Sequence, residues 1–181
     1  MHGAAAPVPQ AGTGELDAKL GLVEFLLGNT ELQVSARRAV DWLVSQTGIR
    51  QAIVALAEPA GTQLLLVAEH GISSSAIVDF VLTREEESHP LIKAMRRSEP
   101  TYFDGSTSFR SPIDGRFHAI PLRSEDDHVV HGLLLTSTSG PELHGEVPWL
   151  AQWLSDSNIP VRRWLLDKVR AAARALIKPA A

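Results

Sequence analysis

The sequence feature that most constrains the fold is the segment over residues 116–138, RFHAIPLRSEDDHVVHGLLLTST. Two apolar runs, residues 117–122 and 129–135, flank the charged stretch 123–127. Apolar runs of β-branched residues and leucine on either side of a charged turn predict two antiparallel strands. Neither run alternates cleanly between apolar and polar residues, so we expect both faces of each strand to be covered. The segment therefore predicts a central hairpin in a sheet that carries helices on both sides.

Two residues of this hairpin restrict its backbone. Pro121 cannot donate a hydrogen bond to a neighbouring strand, so we expect it at a bulge or on the open side of its strand. Gly132 has no side chain to pack, which indicates a bulge or the close approach of another backbone. If Ile120 faces Val130, then His118 faces Gly132, His131 faces Ala119, and the two imidazole rings point to opposite faces of the sheet.

The rest of the chain predicts an α+β fold. Other patterned segments predict helices over residues 15–28, 31–47, 73–80 and 90–97, and strands over 51–57, 63–68 and 101–103. The acidic stretch 82–88 is expected to be exposed. This order of elements favours a central antiparallel sheet of about five or six strands with helices on both faces.

The two ends of the chain differ in character. Residues 1–14 are rich in alanine, proline and glycine, which predicts a disordered linker. We expect residues 15–178 to form one domain, as suits a chain of 181 residues. Its last part, from about residue 146, predicts a long helix with a kink at Pro160, because proline removes a helical hydrogen bond.

Composition excludes several classes of function. The chain has no cysteine, which removes disulfides, thiol catalysis and thiolate metal sites. A net charge of −4 argues against a general nucleic-acid-binding surface. No apolar run approaches the ~20 residues that span a bilayer, and the N-terminus lacks the pattern of a secretory signal. We therefore expect a cytoplasmic protein with no nucleic-acid or membrane partner.

Catalytic and metal-binding motifs are not found in the sequence. The seven histidines form no HExxH pair, and there is no GxSxG elbow and no phosphate-binding glycine loop. Structural or surface roles are the expected ones for these histidines, with no metal site. The expectation is a protein that is not an enzyme, and a small hydrolase or redox enzyme is the alternative.

Three stretches, taken in order, resemble a GAF domain, the small sensory module of signalling proteins. They are LLLVAEHGIS, HPLIKAMRRSEPTYFDG, and FHAIPL followed by a charged loop and VVHGLLLTS. The resemblance covers residues 30–178. It implies a GAF-like, PAS-related fold with long terminal helices, the last of them a signalling helix. It also implies the work of a sensory or regulatory domain, the input module of a bacterial signalling or transcription-regulatory protein.

The resemblance also implies a small-molecule pocket beside residues 102–118, on the sheet face opposite the terminal helices. Aromatic walls with a few polar groups suit such a site. We expect the side chains of Tyr102, Phe103, Phe117 and His118 to lie in or beside the largest apolar pocket. The candidate ligand-binding residues are Phe80, Tyr102, Phe103, Asp104, Phe109, Arg110, Phe117, His118 and His131. The alternative is a pocket filled by the protein's own side chains, which would leave a purely structural dimerisation module.

The sequence does not identify a ligand. Relatives that bind bilin covalently or reduce methionine sulfoxide use cysteine, which this chain lacks, so both are excluded. The motif of cyclic-nucleotide-binding relatives is not found. Haem would need one histidine, for which His89, His118 and His131 are the candidates. Haem and a cyclic nucleotide are both left open, and no residue pattern supports either.

Two narrow apolar stripes predict a homodimer. Each has about two apolar residues per heptad, the spacing of a coiled-coil seam. A short amphipathic helix is marginal alone in water, so these stripes need a partner. The candidate interface residues are Leu16, Leu20, Val23 and Leu27 near the N-terminus, and Val161, Leu165, Val169 and Leu176 near the C-terminus.

Overall fold

The computed structural model describes residues 13–29, 31–58, 62–78, 80, 82–83, 85–106, 108–123 and 130–156. Its helices are α1 (Thr13–Gly28), α2 (Leu32–Thr47), α3 (Ser74–Val78), α4 (Pro90–Met95) and α5 (Glu146–Asp156). Its strands are β1 (Ala52–Ala57), β2 (Gln63–His70), β3 (Leu82–Thr83), β4 (Thr101–Phe103), β5 (Phe117–Arg123) and β6 (Val130–Ser137).

The strands form one antiparallel sheet in the order β3-β2-β1-β6-β5-β4. The hairpins β1–β2 and β5–β6 are joined at the middle of the sheet, where β1 pairs with β6. The α+β class and the antiparallel sheet with helices are confirmed. The predicted central hairpin contributes β6 to the middle of the sheet and β5 to a position beside the edge strand β4.

Two apolar layers cover the two faces of the sheet. On the first, which we call the terminal-helix face, α1, α2 and α5 pack on the strand residues Ala52, Val54, Leu56, Ala68, Ile120, Leu122 and Leu134. On the second, the α4 face, α4 and Ile113 pack on Ile53, Ala55, Leu64, Leu82, Phe117, Ala119, Leu133 and Leu135. The alternation of these residues along β1 and β5 follows from the two-residue period of a strand.

The register of the β5–β6 hairpin is not the one in which Ile120 faces Val130. Ile120 pairs with Leu134 rather than Val130, a difference of four residues. The pairing also shifts between Leu122 and Arg123, where a bulge interrupts the ladder. Because both strands are apolar on both faces, their side chains do not specify a register.

The position of Pro121 agrees with the prediction. It pairs with Leu133 of β6, while on its other side β4 reaches only as far as Ala119. The missing N–H of Pro121 therefore lies on the open side of the strand, where no ladder needs it.

Several element bounds correct the predicted ones. Leu82, expected at the start of an exposed stretch, is buried, and Leu82–Thr83 pairs with β2 as an edge strand. Helix α1 starts at Thr13, two residues earlier than predicted and inside the stretch assigned to a linker. The predicted kink at Pro160 and the C-terminal stripe with Val161, Leu165, Val169 and Leu176 lie outside the described residues. No helix in the described ranges is both long and apolar enough to cross a membrane.

Candidate functional site

Four of the predicted site residues form two cross-strand pairs on opposite faces of the sheet. Tyr102 pairs with His118, and their ring centroids lie 5.3 Å apart. Phe103 pairs with Phe117, and their rings stack at 4.6 Å with an interplanar angle of 13°. Phe103 and Phe117 pack into the α4 face. Since neighbouring residues of a strand point to opposite sides, Tyr102 and His118 lie on the terminal-helix face.

The structure therefore does not bring these four side chains to one cavity. Phe117 is fully buried in the core of the α4 face, and His118 lines a separate cleft on the other side of the sheet. The expectation that all four lie opposite the terminal helices is wrong for Tyr102 and His118.

The remaining candidates have different surroundings. Phe80 is half-buried and packs against the core of the α4 face. Arg110 is exposed in the loop between β4 and β5. His131 is half-buried beside the bulge of the β5–β6 hairpin, between the residues that pair with Leu122 and Arg123.

A cleft of about 440 Å³ lies at the edge of the sheet beside β4. We call it the aromatic cleft, and its lining residues are Pro90, Tyr102, Phe103, Asp104, Ser106, Ser108 and Phe109. Four of the predicted site residues are thus brought together here. The ring of Phe109 stands edge-on to that of Phe103, with centroids 5.7 Å apart and an angle of 77°.

Asp104 lines the aromatic cleft, and His89 lies against Phe109 of its wall. The Asp104 carboxylate accepts hydrogen bonds from the Ser106 hydroxyl at 2.6 Å and the Ser106 backbone N–H at 2.9 Å. These bonds hold the pKa of Asp104 below its usual value. His89, whose ring centroid lies 5.0 Å from that of Phe109, caps α4 by accepting the Leu91 N–H at Nδ1. Burial lowers the pKa of His89.

A second, larger cleft of about 1130 Å³ lies where the chain enters β1 and β5 and leaves β6. We call it the sheet-end cleft. Its lining includes Arg50, Gln51, Asp114, Arg116, His118, Thr136, Ser137, Glu142 and His144. The loop that bounds it runs directly into α5, so a ligand here would touch the start of that helix.

The sheet-end cleft is held together by Gln51 and Ser137. The Gln51 amide donates to the Gly71 carbonyl at 3.1 Å and to the Asp114 carboxylate at 3.2 Å. Its carbonyl accepts the Asp114 N–H at 2.9 Å. The Ser137 hydroxyl accepts the backbone N–H groups of Arg50 and Gln51. The Gln51 side chain thus joins the start of β1, the turn after β2 and the loop before β5.

His118 connects β5 to the loop before α5. Its Nε2 lies 2.9 Å from the Pro141 carbonyl oxygen, which can only accept, so Nε2 carries the proton. Arg116 donates to the Ser139 carbonyl at 3.0 Å and fixes the same loop. In the part of the chain that the structure describes, no group of three His, Asp or Glu residues is placed to hold a metal ion.

The sequence reasoning missed most of the residues that line the sheet-end cleft. Gln51 and Ser137 are brought together by the pairing of β1 with β6, which are far apart in sequence and carry no local signal of that pairing. The aromatic cleft is also lined by Pro90, Ser106 and Ser108. These residues lie next to predicted site residues in the sequence or on the predicted loop, so their position in the sequence is the signal that could have identified them.

Comparison with known proteins identifies the fold. No protein-family model and no curated protein matches the chain. Among solved structures, the GAF domain of an Acinetobacter phosphoenolpyruvate-protein phosphotransferase matches with a TM-score of 0.62 and 16% identity, over 90% of this chain and 99% of that one. A segment of a methyl-accepting chemotaxis protein matches with a TM-score of 0.65 and 15% identity, over 82% of this chain and 99% of that segment. The second GAF domain of DevS from Mycobacterium smegmatis matches with a TM-score of 0.53 and 18% identity, over 78% of this chain and 99% of that one. The chain therefore has the GAF fold.

Proposed function

We propose that the protein is a non-enzymatic sensory or regulatory GAF domain that works as a homodimer, the input module of a bacterial signalling or transcription-regulatory protein. The observation that carries this proposal is the outward face of α1. Leu16, Leu20 and Leu27 are 66%, 54% and 52% exposed, although they lie on one stripe of the helix with Val23. Large apolar side chains exposed in a row mark an interaction surface.

Helix α1 is held in an orientation that keeps this stripe outside. Leu22 and Leu26 are buried in the core of the terminal-helix face. The Trp42 indole donates to the Ala18 carbonyl at 3.1 Å, and Lys19 reaches Glu146 of α5 at 2.9 Å. Turning the stripe inward would break these contacts, so it requires cover from outside the described residues.

We propose that a second copy of the chain covers this stripe of α1. The 4-3-4 spacing from Leu16 to Leu27 is that of a coiled-coil seam, and two identical seams can pack about a two-fold axis. We propose that the predicted C-terminal stripe, which includes Leu165 and Val169, extends the same interface. Parallel packing would then direct both C-termini to one output domain.

The sensory part of the proposal is supported by the fold and by the clefts. The same fold occurs in a chemotaxis protein and in a phosphotransferase at 15% and 16% identity. The aromatic cleft joins aromatic walls with a few polar groups, the composition of a small-molecule site. We propose it as the ligand site, with Tyr102, Phe103, Asp104 and Phe109 as the contacting residues.

The second candidate function is a structural dimerisation module without a ligand. It is favoured by the packing of the α4 face, which the sequence resemblance had suggested as the pocket side. Leu91, Ile92, Met95, Ile113 and Phe117 are all fully buried there and fill the space between α4 and the sheet.

Native mass spectrometry of the protein purified from cells separates the two functions. A dimer with a bound small molecule supports the sensory domain, and an absorption spectrum reveals whether that molecule is haem. A dimer with no adduct supports the structural module. A monomer without an adduct at tens of micromolar contradicts both.

A further inference from the structure

We propose that the aromatic cleft binds a small organic cation, whose ammonium group lies against the rings of Phe103 and Phe109 and beside the Asp104 carboxylate. This inference rests on the ligand-binding part of the proposed function. It names the chemical class of the ligand at that site.

Two perpendicular rings provide the walls for a cation. Phe109 stands at 77° to Phe103, so the two rings form a corner rather than a flat stack. Phe103 is held in place because it stacks on Phe117, which is fully buried. The face of an aromatic ring is electron-rich and attracts ammonium groups, and a preformed corner offers more than one ring to the same cation.

The charge of the cleft favours a cation over an anion. Asp104 is the only charged residue among the described residues that line it. The hydrogen bonds from Ser106 stabilise the ionised carboxylate, so this charge persists in mildly acidic solution. An anion would meet this carboxylate with no opposing charge in the lining.

Arg116 and His89 do not cancel that charge. The Arg116 guanidinium lowers the pKa of Asp104 slightly, but it donates to the Ser139 carbonyl and lines the sheet-end cleft instead. His89 packs on Phe109, and burial lowers its pKa, so its ring is neutral at pH 7. Neither of these two groups therefore neutralises Asp104.

The size of the cleft limits the ligand. Its volume of about 440 Å³ lies in the range of small-molecule sites, roughly 300–1,000 Å³. The hydroxyls of Ser106 and Ser108 also line the cleft and can bond a hydroxyl of the ligand. A methylated amino alcohol combines the required charge, size and polar tail.

The test is an NMR titration of the full chain with choline and with 3,3-dimethylbutan-1-ol, which has nearly the same shape but no charge. The backbone amides of residues 103–106 and 108–109 report on binding. We expect choline to bind about tenfold more tightly than the neutral alcohol, from cation–π and carboxylate attraction together. Asp104→Asn should remove most of that preference, whereas Glu142→Gln, an exposed carboxylate of the sheet-end cleft, should leave it unchanged.

Other outcomes separate this inference from the proposed function. Equal binding of the two probes overturns the cation and leaves ligand binding in place. A preference that survives Asp104→Asn unchanged overturns the placement of the ammonium group beside this carboxylate. If neither probe shifts these amides while the purified protein carries a small molecule, the cleft is the wrong site. If neither probe binds and no adduct is present, the ligand-binding part of the proposed function fails as well.

Discussion

A Cβ atom on Gly132 would lie 2.1 Å from the carbonyl oxygen of Ala55, far closer than such atoms approach in proteins. The two residues lie where β6 pairs with β1, the contact that joins the two hairpins into one sheet. The sequence predicted either a bulge or a close backbone approach at this glycine, and the structure places it at a close approach. The join between the hairpins thus depends on a residue without a side chain.

The first prediction concerns this contact. Gly132→Ala should lower the free energy of unfolding by about 1–3 kcal/mol, because β1 or β6 must shift to admit the methyl group. Urea unfolding measures the change. Gly145→Ala is the control, since a Cβ there meets no atom within 4 Å. Equal effects of the two substitutions would contradict the account.

The second prediction concerns Gln51. Gln51→Leu keeps the size of the side chain but removes its bonds to the Gly71 carbonyl, the Asp114 carboxylate and the Asp114 N–H. We expect a loss of about 1–3 kcal/mol of unfolding free energy, with shifts in the amide signals of Asp114 and Gly71. Gln33→Leu, an exposed position on α2, should change neither. An Asp114 signal that stays in place would show that Gln51 does not hold this loop.

The third prediction concerns the pH dependence of stability. Burial lowers the pKa of His89 in the folded protein, so the unfolded chain binds that proton more tightly. The stability due to neutral His89 is fully present above about pH 6.5, the ordinary histidine value. It is lost as the pH falls below that value and through the folded-state pKa. Protonation at Nδ1 also removes the acceptor for the Leu91 N–H.

His89→Asn tests this dependence, because asparagine caps a helix but does not titrate here. Urea unfolding near neutral pH and at about pH 5 gives the loss of stability for each protein. The wild type should lose more than His89→Asn. A variant that loses as much as the wild type would rule out His89 as a source of the dependence.

Part of the candidate site could be predicted from local pattern. β4 and β5 were expected near their observed positions, and the loop between them supplies much of the aromatic cleft. The division of the candidate site between the two faces of the sheet could also be predicted from the sequence. Tyr102 and Phe103 are adjacent on one strand, as are Phe117 and His118 on the next, and adjacent strand residues cannot share a face.

The rest depends on contacts between distant segments. The register of β5 on β6 could not be predicted, because strands apolar on both faces fit several registers equally well. Leu82 was expected to be exposed because acidic residues follow it, yet pairing with β2 buries it. The sheet-end cleft forms only where β1 lies beside β6, so no local sequence motif predicts it.

The central claim is that the exposed stripe of α1 joins two copies of the chain, and sedimentation velocity at tens of micromolar tests it most directly. The wild type should sediment as a dimer, and Leu16→Glu with Leu20→Glu should sediment as a folded monomer, since both side chains are more than half exposed. Val34→Glu is the matched control, because Val34 is 41% exposed but lies on α2. We expect this variant to stay dimeric. A monomeric wild type, or a double variant that remains a dimer, would contradict the account.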